Sequence, residues 1–106
     1  MSIKQGVDLR GLKPQMAIAY TIICAAYQRH GAQPCVITSA SDGTHGPNSL
    51  HYQGLALDLR TKNVIPAMLA LIVRDMKRDL GDQFDVVEEP DHLHVEYDVK
   101  DTPGEV

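Results

Sequence analysis

Hydrophobic positions recur at helical spacing twice in this chain and alternate in strand fashion twice, over 55–60 and 92–97. Between Lys13 and His30, Met16, Tyr20, Ile23 and Tyr27 fall on one helical stripe, with Ala19, Ile22 and Ala26 beside it. Pro14 suits the first turn and Gly31 a stop, so the spacing predicts a helix over 13–30. A second helix is predicted over 64–80. It has Asn63 as N-cap, Pro66 in the first turn, Leu69, Ile72, Met76 and Leu80 as its buried stripe, and Gly81 as its end. Strands are predicted over 34–39, 55–60, 83–88 and 92–97, the last two separated by Pro90. Residues 40–50, rich in Ser, Asp, Gly, Thr, Pro and Asn, read as loop. The order helix, strand, strand, helix, strand, strand predicts an α+β fold, a small single domain whose antiparallel sheet is packed by two helices.

Strand alternation sorts the side chains by face. Leu55, Leu57 and Leu59 point one way and Ala56 and Asp58 the other; Leu93, Val95 and Tyr97 oppose His92, His94 and Glu96. Asp58 and His94 therefore belong to polar faces, and His51 precedes Asp58 by a turn that Gly54 permits. Two imidazoles and one carboxylate drawn from separate segments suit Zn²⁺ and leave a fourth position open, which is the catalytic rather than the structural pattern. The expected ligand set is His51, Asp58 and His94, and the expected cofactor is Zn²⁺, although affinities of such sites overlap among first-row metals.

Composition narrows the classes. The chain has 106 residues, 43% hydrophobic and 23% charged, enough for one modest core. A net charge of −4 without a basic block argues against nucleic acid as a partner. The longest apolar run, Met68 to Val73, is too short to span a membrane, so no membrane partner is expected. The opening residues lack a secretory h-region, so a cytoplasmic location is expected, with release to the cell wall by a phage lysis system as a route outward. Cys24 and Cys35 read as buried free thiols and not as ligands, and His30 reads as a helix-capping residue. The polar tail from Asp98 to Val106 is expected to fray.

The run Ser49-Leu50-His51-Tyr52-Gln53-Gly54-Leu55-Ala56-Leu57-Asp58, followed by Asp91-His92-Leu93-His94, resembles the zinc D-Ala-D-Ala metallopeptidases. That group includes carboxypeptidases, vancomycin-resistance-type dipeptidases, phage L-alanyl-D-glutamate endolysins and the zinc domain of hedgehog proteins. The first run contains the complete Ser-x-His-x-x-Gly-x-Ala-x-Asp motif, and the likeness extends from Cys35 to Tyr97. The resemblance implies a hedgehog-like fold, His51, Asp58 and His94 as zinc ligands, and Asp91 as catalytic base. Glu88 and Glu89 are the competing candidates for that base; the spacing to His94 favours Asp91. The implied activity is hydrolysis of a peptide bond in the peptidoglycan stem peptide, at its D-Ala-D-Ala end or at L-Ala-D-Glu. An ion so held lowers the pKa of its water from about 15.7 to about 7. The alternative is a non-catalytic zinc-containing binding domain, as in hedgehog; a fourth ligand such as His92 or Glu96 would favour it.

Two further residues border this expected site. His92 is either an ordinary exposed strand residue or a hydrogen-bond donor to an oxyanion. Ser49 is either a turn residue or a partner of Asp58 or the substrate. One departure stands out. Where many relatives carry Ser-Gly-Tyr-Arg, this chain has Ser39-Ala40-Ser41-Asp42, leaving His45, His92 or Arg60 to supply the cation.

Overall fold

The computed structural model describes residues 1–98, apart from 44 and 47. Along the chain run β1 (Ser2–Ile3), α1 (Pro14–Arg29), β2 (Val36–Ser39), a 3₁₀ turn (Leu50–Gln53), β3 (Ala56–Arg60), α2 (Pro66–Leu80), β4 (Phe84–Glu88) and β5 (His92–Tyr97). The five strands form one sheet in the order β1-β2-β3-β5-β4, and both helices pack against it through a shared core, an α+β architecture. Met16, Ile23 and Tyr27 of α1 and Ile72 and Met76 of α2 meet Ile37, Leu57, Leu59, Leu93 and Val95 of the sheet, all fully buried. No described helix is long and apolar enough to cross a membrane.

The sheet is mixed, which corrects the expected antiparallel arrangement. β1 pairs in parallel with β2 through Ser2 opposite Val36 and Ile3 opposite Ile37; the other pairings are antiparallel. Two residues are too few to show a period. Tertiary bonds hold this strand, with Lys4 N–H donating to the Ile37 carbonyl (2.9 Å) and Ser2 N–H to the Tyr20 hydroxyl (3.0 Å).

Asn63 is not the cap of α2. Ile65 takes that place with ψ 148°, because a residue before proline is pushed into the extended region, so α2 starts at Pro66. The same effect at Lys13, ψ 152°, starts α1 at Pro14. His30 does end α1, as expected, and its side chain does more. His30 Nε2 donates to Asp75 of α2 (2.8 Å), which also receives Arg29 (2.9 Å) and Arg74 (3.0 Å) and is approached by Arg78 (3.3 Å). This network ties the end of α1 to the middle of α2 around a carboxylate only 1% exposed. Both cysteines are free, Cys35 buried and Cys24 half-buried. The expectation of a frayed tail falls on 99–106, outside the described residues; Asp98 still donates its N–H to the Gln83 carbonyl (2.8 Å).

Gly54 closes the 3₁₀ turn at φ +73°, and a Cβ there would collide with the Gly11 carbonyl. Gly31 has a similar φ of +69° but open space around it. Gly31→Ala should therefore cost only the left-handed penalty of about 1–2 kcal/mol, and Gly54→Ala distinctly more. Equal losses in chemical denaturation would refute the close packing of 54 on 11.

The His30 and Arg29 hydrogen bonds hold the Asp75 carboxyl below the usual carboxylate range against the opposing effect of burial. A carboxyl depressed in the folded state stabilises above its unfolded pKa of about 3.9, and that stability is lost as pH falls toward the lower folded value. The urea midpoint should drop between about pH 5 and pH 3, and Asp75→Asn should flatten that drop; an unchanged slope would refute the role of this network.

Candidate metal centre

Register brings Asp58 and His94 together. They are direct cross-strand partners in the β3–β5 pair, flanked by Leu57 opposite Val95 and Leu59 opposite Leu93 on the core side. A one-residue slip would put those apolar side chains in solvent, so core burial fixes the polar pair as well. β2 joins by a bulge. Ile37 pairs with Leu59, yet Ser39 rather than Thr38 pairs with Asp58, so the chain gains a residue where it passes the site.

His51 reaches the same point from the 3₁₀ turn. The Ser49 hydroxyl caps that turn by accepting the His51 N–H (3.1 Å), so Ser49 positions the His51 backbone and is not hydrogen-bonded to Asp58. His45 stacks on the His51 ring at 3.9 Å between centroids, and Tyr52 clamps His45 through both its N–H and its carbonyl. Asp42 is a staple. It accepts N–H groups from Asp8 and Ala40 (2.9 Å each), and those bonds hold it below the usual range although burial pushes it up. The Ala40 carbonyl in turn receives His51 Nδ1 at 2.6 Å.

Three ligand atoms converge. His51 Nε2, Asp58 Oδ1 and His94 Nδ1 lie 3.1, 3.1 and 3.2 Å from one another. Ligands placed 2.0–2.1 Å from a tetrahedral ion stand roughly 3.3 Å apart, so the spacing fits zinc. Tautomers agree. His51 Nδ1 faces a carbonyl and His94 Nε2 faces the Glu96 carboxylate (2.7 Å), both acceptors, so the outer nitrogens donate and, once an ion displaced the inner proton, the inner nitrogens would offer it their lone pairs. Among the described residues no other histidine, cysteine, aspartate or glutamate atom joins the trio. Cys35 lies in the core, where burial pushes its thiol up.

Glu96 emerges as an outer partner that strand alternation placed on the polar face without showing its contact. Asp85 and Asp98 lie within 4.8 Å of it, so the outer side of His94 is acidic. Electrostatics reflect this crowding. The hydrogen bond to Asp58 pushes His94 up to about 9, against burial and with help from Glu96. Burial pushes Asp58 up, but the bonds from His51 and His94 outweigh it and hold the carboxyl below the usual range.

Asp91 and His92 sit at the start of β5. Asp91 is largely exposed, and its carboxylate accepts His92 Nδ1 at 2.6 Å, which holds it below the usual range. The other His92 nitrogen lies 3.6 Å from Asp58 Oδ2, so His92 stands between Asp91 and the ligand trio. Of the residues considered as the missing cation, His45 donates Nε2 to the Asp42 carbonyl (2.8 Å), His92 holds Asp91, and Arg60 lines a groove beside Asp58.

Zinc should raise the unfolding temperature of the chain, and His51→Ala or Asp58→Ala should abolish that rise. Glu96→Ala should weaken zinc about 10- to 100-fold in a chelator competition, the usual effect of removing a ligand's outer partner. Unchanged affinity would show that Glu96 does not orient His94.

Neither protein-family models nor curated protein sequences yield a match to this chain.

Proposed function

We propose that this protein is a zinc-dependent peptidase that hydrolyses a bond in the peptidoglycan stem peptide. The observation that carries the reading is the trio His51, Asp58 and His94. Three inward ligand atoms at tetrahedral spacing, with both imidazoles oriented from outside, make a site that takes an ion with three protein ligands. Neither His92 nor Glu96 joins the trio, which supports the catalytic pattern over a closed structural one. The substrate class comes from the resemblance of Ser49–Asp58 and Asp91–His94 to the D-Ala-D-Ala metallopeptidases.

An ion in this site supplies Lewis acidity, which acidifies water and polarises a carbonyl. The residues of the chain do the rest. Asp91 is ionised and open to solvent, able to accept a proton from water and return it to the leaving amine. Its bond to His92 Nδ1 fixes that ring, and His92 Nε2 on the Asp58 side is a donor for a developing oxyanion. His51, buried under His45, does not enter proton transfer; it is a ligand whose ring cannot turn.

Hydrolysis of purified peptidoglycan and of a free stem pentapeptide, with products identified by mass, tests the proposal. Asp91→Ala should keep zinc and lose turnover by on the order of 10²- to 10⁴-fold. Full activity in that variant removes Asp91 as base. Bound zinc with no cleavage of either substrate would favour the binding-domain alternative, for which the outward Asp91 is the specific support.

A further inference from the structure

Away from the metal position, the two cysteines of the chain meet. Cys24 is one helical turn beyond Tyr20 on α1, so the two side chains are neighbours on the helix surface. The Tyr20 hydroxyl donates to the Cys35 carbonyl at 2.7 Å, which ties the residue just before β2 to the turn that carries Cys24. Ser2 N–H donates to the same hydroxyl at 3.0 Å, closing the junction from β1. The two thiols stand in hydrogen-bonding contact with each other, and Cys24 also contacts the Tyr20 hydroxyl.

Their surroundings differ. Cys24 is half-buried, whereas Cys35 is only 5% exposed. Both line one cavity of about 270 Å³, against Ser2 and Tyr20. A reagent entering that cavity meets Cys24 first, and Cys35 is the thiol within reach of whatever forms there. Neither cysteine belongs to the ligand trio, so this chemistry is free of the metal.

We infer that Cys24 and Cys35 are a redox-active pair that closes into a disulfide by exchange with a low-molecular-weight disulfide such as glutathione disulfide, clasping α1 to the start of β2. The exchange runs in two displacements. The Cys24 thiolate attacks one sulfur of glutathione disulfide, that S–S bond breaks, and one glutathione thiolate leaves. Cys35 sulfur then attacks Cys24 sulfur and expels the second glutathione thiolate. The two protons shed by the cysteines end on the two glutathione thiols, and two electrons pass from the protein pair to the glutathione. Burial pushes the Cys35 thiol up, so the second displacement is the slower one. A reducing compartment holds the pair open and an oxidising one closes it. The inference is independent of the peptidase reading.

Mass measurement on the full chain tests it. The protein is incubated with excess glutathione disulfide, quenched with N-ethylmaleimide, and analysed intact and as peptides. It should lose two hydrogens and yield one fragment joining the segments around 24 and 35. Its unfolding temperature should rise, because the bond restricts the unfolded chain, and dithiothreitol should reverse both changes. Cys35→Ser should stop at one glutathione held on Cys24, and Cys24→Ser should lose nearly all reaction while folded. A wild-type chain that keeps glutathione on Cys24 without closing, links to a second copy, or stays reduced overturns the inference, whether or not either variant folds. A closed form that unfolds at a lower temperature than the reduced one also overturns it, by placing the bond in a non-native arrangement.

Discussion

The register between β3 and β5 is the constraint on which the rest of the molecule depends. Leu57, Leu59, Leu93 and Val95 are fully buried against the two helices, and burying each such side chain is worth about 1.5–3 kcal/mol. No polar contact on the opposite face approaches that sum, since a hydrogen bond contributes about 0.5–1.5 kcal/mol net. The apolar face thus dictates which residues face each other, and Asp58 opposite His94 is a by-product of core packing. Two of the three ligand positions are held by forces that have nothing to do with metal, and the cost of gathering charged groups is met by the core.

His51 depends on a different kind of force. It comes from a short turn outside the sheet, and a chain of polar contacts fixes it: Asp42 on Ala40 N–H, the Ala40 carbonyl on His51 Nδ1, Ser49 on the His51 N–H, and His45 stacked on the ring. Gly54 closes the turn by letting the backbone lie against Gly11, and Lys13 N–H reaches the Gly54 carbonyl at 3.0 Å. The segment before α1 thereby buttresses the site. Asp42 makes sense in this setting as the carboxylate that joins the segment before α1, at Asp8, to the loop at Ala40.

These two kinds of force explain what was legible in the sequence. Helix stripes, strand faces and the pair Asp58 and His94 follow from periodicity, because local pattern and core burial point the same way, whereas His51 was legible only from its spacing to Asp58 across Gly54. The start of α2 was misplaced because Asn63 looked like a cap while Pro66, a stronger local constraint, set the boundary. β1 was invisible because its order comes from β2 and Tyr20, not from its own two residues. The bulge at Ser39, the bond from His94 to Glu96 and the convergence of Lys4 with Arg60 join positions distant in sequence, and no spacing rule carries them. Asp91 lies between these cases: its place before His94 was readable, but its attachment to His92 was not.

Charge on the polar face is segregated, and the segregation has a direction. Arg60 lies opposite His92 at one end of the β3–β5 ladder, with Lys4 and Lys62 in the same groove; Glu96 lies opposite Ala56 at the other end, with Asp85 and Asp98 nearby. The ligand trio sits between. A peptide crossing this face would find opposite potentials on either side of the metal position, within a Debye length of about 8 Å of each charge, so the field would act before contact. On the peptidase reading, orientation would come from the charge pattern of the sheet and bond polarisation from the ion. Separating these two tasks would, on that reading, let a domain this small select a substrate without a deep pocket.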